Sequence, residues 1–441
     1  MRHRAFALRS ARIVTPTGER AGVLTVRGGK VESITPDAPK RVPLRELGFL
    51  AIVPGVVDAH VHVNEPGRTE WEGFETATKA AAAGGVTTIV DMPLNSIPVT
   101  TTVQALDIKR AAARGKIHVD CAFWGGVVPG NAPDLAALIA RGARGAKAFL
   151  VDSGIPEFPA SDPQTLRTAM LALKAAGAPL LAHAELMGVC CATPASAAEY
   201  RDYLASRPRA WENDAIRLLV ALCRETGCRT HIVHLSSSEA IEIVAAARAE
   251  GLPFSAETCP HYLTFAAESI PAKSPAYKCA PPIRERDNRE KLWRGLRDGV
   301  IDMVVSDHSP SAPSLKTKAG GDFMAAWGGI ASLQFSLSAV WTAAAARSFE
   351  LAEVARWMCE KPAALSGLSA RKGRLLPGMD ADFSIFNPGE EFRVEADGVL
   401  HRHPLTPYLG MNLTGAVLET FVQGHKVYDH GSFFPPHGEL L

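Results

Sequence analysis

Eight apolar runs recur through the middle of the chain, and Ala-rich stretches of helical periodicity lie between most of them. The runs are VVDAHVHV, VTTIVDM, VDCAFWGGVV, GAKAFLV, PLLAHAE, THIVHLS, PFSAETCPHYL and IDMVVSDHS. The stretches include FETATKAAAAGG, LRTAMLALKAAG and DAIRLLVALCRETG. Strands that alternate with helices pack as parallel βα units, because a parallel pair needs a crossover that returns the chain to the same end. Eight such units close into a barrel. A doubly wound open sheet is the other arrangement, but no glycine-rich dinucleotide turn follows the first strand to favour it.

Both ends of the chain have a different texture. FALRSARIVTPTGERAGVLTVRGGKVESI near the start, with Gly28-Gly29 as a turn, reads as short strands. GRLLPGMDADFSIFNPGEEFRV and GAVLETFVQGHKVYDHG near the end read the same way. The expected class is α/β: a (β/α)8 TIM barrel over residues 54–372, with a small β-sandwich built from residues 1–53 and 373–441. A length of 441 residues suffices for one large and one small unit, and 47% apolar residues supply the core.

Composition excludes several functions. Forty-seven Lys and Arg against 46 Asp and Glu leave a net charge of +1, which gives no footprint for nucleic acid or an acidic membrane. No run of about 18 apolar residues is present to span a bilayer. The eight cysteines are scattered, with Cys190 and Cys191 adjacent and no CxxC pair. They read as reduced thiols of a cytoplasmic protein.

The polar residues fall at the strand ends, which is where a barrel carries its chemistry. The first run ends in HVH, and residues i and i+2 of a strand face the same side, so His60 and His62 project together. Asp91 and Asn95 follow the second run. Lys147 lies in the fourth, and His183 and His234 end the fifth and sixth. His261 closes the seventh, and Asp307-His308 the eighth. Singly, each has an ordinary reading: a strand-end histidine is more often a satisfied core residue, and a lysine between alanines can snorkel or pair. Four histidines, a lysine and an aspartate on one rim are harder to explain separately. Imidazole with carboxylate suits a divalent ion of the zinc type. An ammonium does not, unless burial keeps the lysine neutral.

Long segments carry a resemblance. VPGVVDAHVHVNEPGRTEWEGFETATKAAAAGGVTTIVDMPLNSIP, FWGGVVPGN, AKAFLVDSGIPEFP, KCAPPIR, SDHSP and WGGIASLQ together span most of the chain. They resemble the cyclic amidohydrolases of the amidohydrolase superfamily: allantoinase, dihydroorotase, hydantoinase and dihydropyrimidinase. The likeness is strongest to the allantoinase members. It implies metal-dependent hydrolysis of the ring amide of allantoin to allantoate, a step of purine catabolism. By the same resemblance His60, His62 and Asp307 hold one divalent ion, with zinc expected, and His183 and His234 hold a second. Lys147, carboxylated by carbon dioxide to N6-carboxylysine, bridges the two. Asp307 serves as base and then acid. Asn95, Ser309 and backbone groups at Cys279 and Ala280 orient the substrate. Ser309 could equally cap the segment that follows it. His261 has no metal role in the family pattern, so a supporting role and a purely structural one both stand. Relatives suggest a homotetramer by analogy.

One departure bears on substrate. Dihydroorotase carries an arginine two residues after the second histidine, to grip a carboxylate. This chain has Asn64 there. Hydantoinase-like enzymes usually read HTH where this chain reads HVH. The alternatives are a hydantoinase or dihydropyrimidinase acting on another cyclic amide, and a non-catalytic scaffold relative, against which the full ligand set argues.

Overall fold

The computed structural model describes residues 5–188, 196–317 and 320–441. Cys190 and Cys191 lie outside the described residues; the six described cysteines are all free and buried. All eight runs supply strand. In order they are Val56–Val61, Val86–Asp91, Asp120–Phe123 with Gly125–Gly126, Ala146–Phe149, Leu180–His183, Thr230–Ile232, Phe254–Thr258 and Met303–Val304. Each pairs in parallel with the next. The ring closes where Val61 bridges His308 and the His62 amide donates to the His308 carbonyl at 2.8 Å. The first strand is buried at every position, as expected of a parallel strand covered on both faces.

The predicted helices form at Phe74–Ala83, Pro163–Ala175 and Arg209–Thr226. Asp162 caps the second by accepting from the Thr165 amide at 2.7 Å, and Gly227, at φ 64°, ends the third. The seventh run departs from expectation. Its strand stops at Thr258, and Pro260–Thr264 is helical, so His261 lies on a short helix. Proline has no N–H for the ladder and suits the first turn of a helix, which breaks the run there.

The second unit is a nine-stranded sheet, mostly antiparallel, with strands from both ends of the chain between Phe6 and Phe433. The sheet folds over a core that includes Leu8, Ile13, Leu24, Phe383 and Phe421. The Phe6 and Phe421 rings meet at 5.9 Å across that fold. The molecule is thus a (β/α)8 barrel with a β-sandwich. Between them, Ala51–Pro54 of the sandwich is separated from the first barrel strand by Gly55 alone. A Cβ there would stand 2.0 Å from the Thr87 hydroxyl, so only glycine permits the crossing. No helix among the described residues is long and apolar enough to cross a membrane.

Candidate metal centre

A cavity of about 770 Å³ opens at the C-terminal rim of the barrel. Its walls include all ten residues singled out above for metal or substrate: His60, His62, Asn95, Lys147, His183, His234, Cys279, Ala280, Asp307 and Ser309. His60, His62 and Asp307 form one group, with ligand atoms all within 4.8 Å of one another. His183 and His234 form a second, Nδ1 to Nε2 at 3.0 Å. Lys147 lines the same cavity, its Nζ 5.1 Å from the centre of the Phe149 ring, which stacks on His183 at 4.6 Å.

Buried carboxylates set the ring orientations. Glu257 accepts from His60 Nδ1 at 2.5 Å and from His231 Nε2 at 2.9 Å. Glu185 accepts from His183 Nε2 at 2.8 Å and is itself held by Arg207. A carboxylate only accepts, so the proton of each ring sits on the side away from the site. The free lone pairs are then His60 Nε2, 3.2 Å from Asp307 Oδ1, and His183 Nδ1, facing His234. An imidazole lone pair that faces a carboxylate oxygen repels it unless a cation lies between. Burial holds His60, His183 and His234 below their ordinary pKa, so the rings are neutral, as metal ligation requires. The donors present therefore fit divalent ions.

Lys147 is fully buried, and its Nζ has no hydrogen-bond partner among the described residues. Burial pushes it down to about 8. At neutral pH that raises the neutral amine fraction roughly three-hundredfold over an ordinary lysine.

The backbone is strained where the ligands leave the sheet. His234 and Asp307 have φ of 40° and 45°, and Asn64 and Asn95 have 66° and 67°. Such left-handed residues cost about 1–3 kcal/mol each and persist where the surroundings over-determine them. At His234 and Asp307 the flip comes just past the strand end.

The remaining candidates divide. Ser309 lines the cavity, and its amide donates to Ile330 at 2.9 Å. A Cβ on Gly329 would stand 2.2 Å from the Ser309 carbonyl. Gly329→Ala should therefore displace this wall, raising KM or costing stability by about 1–3 kcal/mol. Michaelis parameters together with a denaturant melt check it, and wild-type values in both would refute the packing argument. The Cys279 carbonyl already accepts from the Tyr203 hydroxyl at 2.7 Å. Asp91 turns inward to the Val63 amide at 2.8 Å and Lys109 Nζ at 2.6 Å, so its place is structural. Asn64 is 1% exposed, donates to the Pro310 carbonyl at 3.1 Å and does not line the cavity.

Glu257, His231, Glu185 and Arg207 are not among the residues that strand-end position in the sequence singles out. Glu257 carried a signal, as the one carboxylate within the strand portion of PFSAET. Glu257→Gln should lower metal affinity about 10–100-fold while the fold is kept. Titration against a chelator measures this, and unchanged affinity would remove Glu257 from the support of His60.

A barrel whose strand ends converge imidazoles, a buried lysine and an aspartate is the scaffold of a metal-dependent hydrolase, and residues 51–427 match the amidohydrolase family; the chain belongs to it. It is 48% identical to the allantoinase of Streptomyces avermitilis, over 99% of this chain and 98% of that protein. It is 42% identical to the allantoinase of Arabidopsis thaliana, over 97% and 89% respectively. Among solved structures, the L-hydantoinase of Arthrobacter aurescens superposes with a TM-score of 0.92 at 31% identity, covering 99% of both chains.

Proposed function

We propose that this chain hydrolyses the ring amide of allantoin to allantoate. The near-full-length likeness to allantoinases carries the substrate, and the rim geometry supports the chemistry. In this reading the barrel, residues 54–372, is the catalytic unit, and residues 1–53 with 373–441 support it. His60, His62 and Asp307 would hold one divalent ion, His183 and His234 the other, and Lys147 as its carbamate would bridge them, with zinc as the expected metal. The ions, when bound, supply the Lewis acidity that makes hydroxide available near neutral pH.

The chain's own groups do the rest. Asp307 takes the proton of the attacking water on its carboxylate and delivers it to the leaving ring nitrogen as the C–N bond breaks. Asn95, Ser309 and the backbone at Cys279–Ala280 hold the ureide, with polar atoms placed where charge develops. Phe149 and Trp327 add apolar surface to the cavity walls. Assembly as a homotetramer belongs to the same reading. Phe49, 84% exposed, and Leu44, 38% exposed, offer apolar surface for it.

The test is a substrate panel of allantoin, hydantoin, dihydrouracil and dihydroorotate, run on metal-loaded protein. Allantoin is expected to have the highest kcat/KM. A higher value for hydantoin or dihydrouracil would transfer the chain to the hydantoinases.

A further inference from the structure

Cys259 and His261 flank the break between the seventh barrel strand and the helix Pro260–Thr264, and neither belongs to the ligand set above. One donor atom from each, together with a carboxylate oxygen of Asp307, forms a group whose members all lie within 4.8 Å of one another. Cys259 and His261 are 0% exposed and Asp307 is 7% exposed. His261 is the anomaly. Neither ring nitrogen has a hydrogen-bond partner among the described residues. A neutral imidazole has one N–H and one lone pair, and leaving both unsatisfied in a core is costly. Two polar side chains of the same region are committed elsewhere: the Tyr262 hydroxyl donates to the Pro281 carbonyl at 2.7 Å, and the Cys279 thiol to the same carbonyl at 3.3 Å.

A thiol, an imidazole and a carboxylate converging in one place form a donor set for zinc or cadmium. We propose that Cys259, His261 and Asp307 form an additional, inhibitory site for a thiophilic divalent ion. On binding, the Cys259 thiol gives its proton to the buffer and a sulfur–metal bond forms; nothing is oxidised or reduced. Asp307 is shared with the ligand group of His60 and His62. In the reading above Asp307 already holds one ion; a second on the same carboxylate leaves it no free oxygen to carry the proton, so excess metal slows turnover. This consequence rests on the role proposed above for Asp307; the site itself does not.

The experiment adds cadmium to metal-loaded enzyme whose basal allantoin activity has been recorded. The ligands proposed for catalysis are all nitrogen and oxygen, so a thiolate-to-cadmium charge-transfer band reports sulfur ligation alone. The expected result is a band that saturates at one extra ion per chain, in step with loss of activity. Cys259→Ser should remove the band and move inhibition to higher cadmium. His261→Gln should weaken both. Cys259→Ala serves if the serine variant misfolds by circular dichroism. No band at saturating cadmium, or a band and inhibition that survive in the Cys259 variant, overturns the site. Absent basal activity on allantoin would count against the proposed function and leave the band assay intact.

Discussion

Replacing Lys147 with alanine is expected to strip metal from the protein and lower kcat/KM by at least about a thousandfold. Metal ions supply several kcal/mol of charge stabilisation in such hydrolyses, and each 1.4 kcal/mol is roughly tenfold in rate. The side chain is fully buried in the wall of the cavity that both histidine groups line, with no hydrogen-bond partner among the described residues. Alanine would leave no anionic bridge between them. Short carboxylic acids added with metal should restore part of the turnover by filling the gap. Lys147→Arg should not, because a guanidinium stays protonated and cannot form a carbamate. Elemental analysis and initial rates measure both effects. Retained metal and activity in Lys147→Ala would refute the bridge, as would an unmodified lysine in well-defined density of an active, metal-loaded crystal.

Dihydroorotate should be rejected relative to allantoin by roughly a thousandfold or more in kcat/KM. That factor corresponds to about 4 kcal/mol, within the cost of leaving a carboxylate desolvated and unpaired. Asn64 stands where dihydroorotase has its arginine. Besides Lys147, two basic side chains among the described residues line the cavity, and both are engaged. Arg207 holds Glu185, and Lys278 Nζ donates to the carbonyls of Met324 and Ala326 at 3.0 and 2.6 Å. Either would have to give up those partners to receive a carboxylate. Asn64→Arg should gain no dihydroorotase activity. The site is 1% exposed and at φ 66°, so a guanidinium would be buried on a backbone that long side chains adopt poorly. Equal enzyme with each substrate, at saturating metal and bicarbonate, gives the ratio. A ratio favouring dihydroorotate would end the allantoin assignment.

Much of this molecule is written locally. Apolar runs separated by Ala-rich helical stretches are enough to name the eight strands in order. A run such as VVDAHVHV also tells which residues share a side, because the pleat alternates. The seventh run differs at its end: the apolar pattern continues to Leu263, but the strand stops at Thr258 and Pro260 opens a helix. The candidate ligands were legible as a list, two in the first run and one each in the fourth, fifth, sixth and eighth. Their partners were not: Glu257 and Glu185 reach their histidines across the barrel or from beyond the strand, and no spacing rule announces them.

The residue order of the chain by itself determined the strand and helix sequence, the participation of both termini in a second β-rich unit, and the family. Periodicity, turn chemistry and long motifs are properties of neighbours in the chain. Only the tertiary structure decided which nitrogen of His60 and His183 faces the site, because the buried carboxylates of Glu257 and Glu185 fix each tautomer from outside. It also turned Asp91 and Asn64 away from the cavity and left His261 without a hydrogen-bond partner among the described residues, beside Cys259 and Asp307. These outcomes depend on burial and on contacts between residues far apart in the chain. A side chain's protonation and hydrogen-bond partners are set by everything packed around it, and that packing exists only once the barrel has closed.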